Sequence, residues 1–258
     1  MTLFVGAGTV LNVLTVLVGG SVGLLLGARL PDRVREVAMD ALGLGTLAIA
    51  VLSVLDVHDP ALADAVGAGA ALVVIGAALL GAVLGGLLRI EARLERVGHH
   101  LRALLLRAGP GHRRPREDEP GEHRFVEGFV TASLVFCVGP LTVLGAVNDG
   151  LGRGIDELAV KSLLDGVAAA AFASALGSGV LLSAMSVAVV QGSLTVVGAL
   201  LGDLLDAAQV AALSATGGLL LLGVGLRLLR VRDVPVGDLL PALVVAPVIV
   251  AVVRSVLG

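Results

Sequence analysis

Charges fall along this chain in clumps, and long apolar stretches separate them. Leu3 to Ala28 carries no formal charge, and Arg29, Arg33 and Arg35 follow it. Further apolar runs cover Ala41 to Leu55, Ala65 to Leu88, Gly128 to Asn148, Ala207 to Leu226 and Leu239 to Val253. A membrane-crossing helix needs about 20 predominantly apolar residues, so these runs predict spans. Gly166 to Gly202 is free of formal charge throughout. As one helix it would be roughly 55 Å long, against a hydrocarbon core of about 30 Å. It must fold back, with a turn expected near Gly177–Ser186. The pattern predicts an all-α, polytopic transmembrane helix bundle of about eight segments, or seven if part of 166–202 is re-entrant. No basic residue precedes the first run and no convincing cleavage site follows it, so it reads as a retained span and not as a signal peptide.

Between the third and fourth runs the pattern changes. Ile90, Leu94, Val97, Leu101 and Leu104 share one helical face, while Arg89, Glu91, Arg93, Glu95, Arg96 and Arg102 take the other. Such a helix lies in the headgroup plane or packs beneath the bundle. Pro110, Pro115 and Pro120 among mixed charges make 107–124 a flexible linker. The chain divides into a membrane half over 1–106, the linker 107–124, and a second membrane half over 125–258. A shorter amphipathic turn, with Leu30, Val34, Val37 and Ala41 aligned, is expected between the first two spans.

Charge then orients the spans. With eight spans, fifteen of the 18 basic residues fall on one face, including Arg29–Arg35, those of 89–124, and Arg227, Arg230 and Arg232. Basic loops stay in the cytoplasm. The linker is expected there and the N-terminus outside.

Composition narrows the chemistry. The chain is 57% hydrophobic and 15% charged, with a mean hydropathy of +1.01. Soluble domains run about 45–50% apolar and about 25% charged, which argues against a water-soluble enzyme. One cysteine, Cys137, excludes an internal disulfide and a Cys-based metal cluster. A net charge of −3 gives no nucleic-acid footprint. Trp and Tyr are absent, so charges, and not an aromatic belt, must set depth.

Two further patterns bear on architecture. At an offset of 120, Gly8 falls on Gly128 and Val18–Gly19 on Val138–Gly139; later, Gly43 falls on Gly166. Three intervening spans would give the halves inverted topology, an inverted repeat with broken helices as in many transporters. The stretches Gly8-Thr-Val-Leu-Asn12, Asp40-Ala-Leu-Gly43, Gly128-Phe-Val-Thr-Ala-Ser-Leu-Val-Phe136 and Lys161-Ser-Leu-Leu-Asp-Gly166 carry a resemblance. So do Phe172-Ala-Ser-Ala-Leu-Gly177, Gln191–Gly192 and Ala215-Thr-Gly-Gly218. Together they resemble the YqgA/YdfK-like family of bacterial membrane proteins (domain of unknown function 554) over nearly the whole chain outside 107–124. The resemblance implies an inner-membrane protein with no established reaction and supplies no catalytic residues.

Asp165 is the most informative position. A carboxylate at the centre of a membrane helix costs about 2.5–3.5 kcal/mol on insertion scales, although this one is expected only a turn inside the outer boundary. Lys161, four residues earlier, can meet it on one face. The pair reads either as an interfacial anchor or as an ion or proton site. Asn12 and Thr9 share a face of the first span, and Gln191 is a polar residue within 166–202. Helix-to-helix packing is the plain reading of Asn12 and Thr9; with Asp165, Lys161 and Gln191 they are the candidate substrate- or ion-binding residues. Gly19, Gly139, Pro140, Gly177 and Gly179, with Gln191–Gly192, are candidate helix breaks. Pro140 lacks a backbone donor. Overlapping GxxxG steps at Gly19, Gly23 and Gly27, and at Gly81–Gly85 and Gly198–Gly202, read as packing seams through which a homo-oligomer could form.

No catalytic set, metal site or cofactor is expected. No predicted span contains a His to activate Ser178, and the histidines near the linker are irregularly spaced. The lipid bilayer is the one obligatory partner. The leading expectation is a secondary transporter or channel-like protein for a small solute or ion, and not an enzyme. The alternative is a non-transporting scaffold or regulatory protein that recruits partners through its amphipathic helix and linker.

Overall fold

Lipid offers a backbone no hydrogen bonds, so an apolar run can cross it only as a helix that satisfies its own N–H and C=O groups. A computed structural model describes residues 4–27, 31–108, 120–138, 140–201 and 205–257. Among the described residues there are only helices and turns: α1 (Ala7–Gly27), α2 (Asp32–Val54), α3 (Pro60–Val66), α4 (Ala70–Leu88), α5 (Ile90–Ala108), α6 (Pro120–Cys137), α7 (Pro140–Gly150), α8 (Asp156–Leu176), α9 (Gly179–Leu201), α10 (Ala207–Leu228), α11 (Val236–Leu239) and α12 (Ala242–Leu257).

The charge-free stretch folds back as expected, at Gly177–Ser178. Gly177 stops α8 because it takes φ +86°, a conformation that costs glycine nothing. Other boundaries move. The short amphipathic turn is not a separate element, because α2 is continuous from Asp32 and carries that face into its own span. The last five residues of the expected linker, Pro120–Arg124, belong to α6. Pro120 fits there because the first turn of a helix has no intrahelical use for its N–H. The other prolines of that segment lie outside the described residues.

Close glycine contacts give the direction of each helix. A Cβ placed on Gly19, Gly23 or Gly27 would sit 2.0, 2.1 and 2.6 Å from the carbonyl oxygens of Gly166, Ala170 and Ser174. The two sets advance in step, so α1 and α8 are parallel and touch backbone to backbone. Gly43 meets Leu229 while Gly218 meets Ala50 and Val54, so α2 and α10 are antiparallel. Gly81 packs on Ala242 and Gly85 on the Asp238 carbonyl, which sets α4 antiparallel to α11–α12.

The pair α6–α7 bends by 64°. Its beginning lies at the α8–α9 turn, where Arg124 Nη2 donates to the Ala175 carbonyl at 2.6 Å. Its end lies at the opposite face, where Asp149 receives backbone N–H groups from the start of α1. The bent pair therefore runs through the full thickness of the bundle. Seven other helical segments are long and apolar enough to cross a membrane, and this pair, counted as one span, makes eight. The start of α1 and the end of α12 share one face, and α6 begins on the other.

On the face where α6 begins, α5 is clamped to the bundle. Arg89 takes φ 50° at the turn from α4. The Glu91 N–H donates to Asp238 Oδ1 at 2.9 Å. The Glu91 carboxylate accepts from Arg227 Nη1 and from the Gly237 N–H, both at 2.5 Å. Amphipathicity brings α5 to the surface, and this ionic knot sets its angle.

The GxxxG steps are filled within the chain: Gly19, Gly23 and Gly27 by α8, Gly81 and Gly85 by α11–α12, and Gly198 by Val147 of α7. Gly202 lies outside the described residues. Gly23→Ala should cost about 3 kcal/mol, the upper part of the usual over-packing range, whereas Gly45→Ala, with nothing within 4 Å, should change stability by under about 0.5 kcal/mol. Thermal unfolding in detergent checks both. Reporters fused within 109–119 and after Asp206 should report opposite sides of the membrane; signals from one side would remove the eight-pass topology.

Candidate functional site

Because α1 and α8 run in parallel contact, polar residues far apart in sequence meet in the interior. Asp165 is the tenth of the 21 residues of α8, so it sits at mid-helix, deeper than the single turn expected. Lys161 Nζ donates to Asp165 Oδ2 one turn along the same helix. Asn12 Nδ2 donates to the same oxygen from α1 at 2.9 Å. Exposure is 0% for Asn12, 6% for Lys161 and 7% for Asp165. The pair is buried inside the bundle. Taking both charges out of water costs several kcal/mol per ion, which mutual attraction and hydrogen bonds repay only in good geometry. Removing one partner would leave a bare charge inside.

A second contact ties α1 to α9. Thr9 Oγ1 and Thr195 Oγ1 lie 3.2 Å apart, and further along, Gly20 packs on Leu181. The helices are therefore antiparallel, and Gln191, one turn from Thr195, comes to the level of Asn12 and Val13. Gln191 is fully buried, and neither its Nε2 nor its Oε1 has a hydrogen-bond partner. Asn12 Oδ1 has none either.

The broken pair α6–α7 packs on α8, the helix that carries Lys161 and Asp165. Pro140 cannot donate to the Phe136 carbonyl, and Thr142 Oγ1 does so instead at 3.2 Å. A side chain thus repairs the ladder where the helix kinks, as kinked membrane helices require. Gly139 lies outside the described residues. The other expected breaks resolve differently. Gly19 is interior to an unbroken α1 and serves as a contact point for Gly166. Gly177 and Gly179 flank the turn between two complete passes. The Gln191–Gly192 pair is interior to a continuous α9.

Asp149 is not among the expected site residues. It is 2% exposed and accepts from the N–H groups of Gly6 at 3.0 Å, Gly8 at 3.1 Å and Thr9 at 3.4 Å. The first N–H groups of a helix have no intrahelical partner, and α1 begins in Phe4-Val5-Gly6-Ala7, which contains no capping side chain. That missing cap was the available signal: a helix starting in apolar sequence must borrow an acceptor.

A buried ionic centre within an eight-pass helical bundle places the chain among polytopic integral membrane proteins. It belongs to the family described as "Protein of unknown function (DUF554)", whose model matches residues 7–251. It is 31% identical over 240 residues to "Uncharacterized protein YqgA" of Escherichia coli (strain K12), covering 93% of this chain and 94% of that one. It is 23% identical over 248 residues to "Uncharacterized membrane protein YdfK" of Bacillus subtilis (strain 168), covering 96% and 97%. No solved structure matches.

Asp149→Ala should destabilise the protein by about 2 kcal/mol, the upper end for a lost cap, because three N–H groups lose their acceptor. Asp149→Asn should cost roughly half of that. The half-buried Cys137 allows the test: a thiol-reactive fluorogenic dye should report unfolding at a lower temperature in both variants.

Proposed function

We propose that this protein moves a small ion across the bacterial cytoplasmic membrane, as a secondary transporter or channel-like protein, with Asp165 at the centre of its path. The observation that carries this reading is a carboxylate at mid-helix, held by Asn12 from another span and by Lys161, with a broken helix beside it. Ionisable groups inside a membrane segment are costly and mark ion or substrate routes by default. Broken helices at membrane depth line cavities or lie buried in protein, and the broken pair α6–α7 packs on α8, which carries the ionic centre. We assign no catalytic step to it. The face that carries most of the arginines and joins 109–119 is the cytoplasmic one in this reading, with both ends of the chain outside.

Reconstituted into liposomes, the full chain should carry at least one of radiotracer Na⁺, Rb⁺ and Cl⁻, or protons read by an entrapped dye, above protein-free vesicles. Asp165→Asn should bring that flux to background, but it also strands the Lys161 ammonium at a cost of about 3–5 kcal/mol. Asp165→Asn with Lys161→Gln removes both charges and should recover most of the lost thermal stability without recovering flux. A double variant that transports like the wild type, or a wild type silent with every tracer, sinks the reading and leaves a structural ion pair.

A further inference from the structure

The ionic centre leaves more oxygen than it uses. Asp165 is acceptor-only when ionised, so Asn12 must turn its NH₂ toward it, and this fixes Oδ1 as the atom without a partner. On the facing helix, Gln191 holds both ends of its carboxamide unpartnered at 0% exposure. Buried polar groups are nearly always hydrogen-bonded, and each exception asks for an explanation such as a bound ion or water. Apart from Thr216 Oγ1 in α10, the exceptions among the described residues come at one level, because the Thr9–Thr195 contact sets the register of α1 against α9. An apolar side chain at 191 would pack the same seam with no unmet demand.

We propose that the orphaned oxygens Asn12 Oδ1 and Gln191 Oε1, with the Thr9 and Thr195 hydroxyls, form a site for a dehydrated monovalent metal cation of the Na⁺ class, with Asp165 supplying its charge. The proposal rests on the transport reading and names the ion. Hard cations take oxygen ligands, and every ligand offered here is oxygen. Among the described residues no three His, Cys, Asp or Glu side chains converge in a way that could hold a metal ion, which separates this set from the sites of transition metals. Charge selects valence. One carboxylate balances one positive charge, and a divalent ion in so dry a place would remain half uncompensated. The structure already holds a monovalent cation on that carboxylate, the ammonium of Lys161. The metal ion and Lys161 therefore compete for Asp165, and Lys161 occupies the carboxylate when the metal ion is away.

Equilibrium binding of ²²Na⁺ to the purified full chain in detergent, over a choline background, tests this. The wild type should bind saturably, near one ion per chain, with displacement by unlabelled Na⁺ and not by Mg²⁺ or choline. Lys161→Gln, which removes the competitor, should tighten binding at least tenfold. Gln191→Leu should weaken it at least tenfold, and in choline that variant should melt at or above the wild-type temperature, because it removes two unmet polar atoms. It should also lose any Na⁺-dependent rise in melting temperature. Absence of saturable binding in both the wild type and Lys161→Gln overturns the site, as does undiminished binding in Gln191→Leu. A Gln191→Leu protein that melts well below the wild type in choline also overturns it, since Gln191 would then be packing productively without an ion. Asp165-dependent flux that Gln191→Leu leaves intact removes this site and spares the transport reading. Saturable Na⁺ binding without flux of any tracer removes the transport reading and spares the site.

Discussion

The contact between α1 and α8 is the constraint on which the interior depends. Gly19, Gly23 and Gly27 present backbone to the carbonyls of Gly166, Ala170 and Ser174, a separation that no side chain at those glycines would permit. In lipid there is little hydrophobic drive between helices, and close packing of small residues supplies the association. Short reach is what lets the compact Asn12 side chain touch Asp165 from a different span. A seam wider by one methyl group on each side would move that amide beyond hydrogen-bond distance, and Lys161 alone would neutralise the carboxylate. Backbone contact and buried chemistry are here one requirement.

The same seam explains why two carboxylates so close together do different things. Asp149 faces the N–H groups at the start of α1, where the helix dipole favours negative charge, and its demand is met by backbone. Asp165 faces an amide and an ammonium, groups that side-chain rotation can withdraw. The first carboxylate is bound to the fold and the second to movable partners. That difference in partners, more than any difference in depth, singles out Asp165.

What could be read from the sequence was whatever repeats locally. Spans follow from apolar length, the Gly177 turn from a run too long for one crossing, α5 from its 3.6-residue period, and the Lys161–Asp165 pair from its four-residue spacing. The Asn12–Asp165 contact bridges 153 positions, and in sequence each residue showed only as a polar atom in an apolar run. Asp149 was hidden for a related reason, since an acid at the end of an apolar run resembles a loop residue until the helix that needs it is in place. Gly19 misled differently. A glycine weakens a helix and also lets another backbone approach, and only the neighbour decides which property is used.

The first helix of this chain is spatially a member of its second half. α1 packs on α7, α8 and α9, so its cap and its Asn12 partner are encoded about 140–150 residues downstream. At synthesis rates of about 5–20 residues per second, α1 enters the bilayer roughly 8–30 seconds before those partners exist. During that interval its leading N–H groups lack Asp149 and its Asn12 amide lacks Asp165, while α2 to α6 are still emerging. Biogenesis is consequently not a matter of adding finished hairpins in order. The earliest span has to be kept available, by lipid, by water at the interface or by the insertion machinery, until α8 arrives and closes the bundle around it.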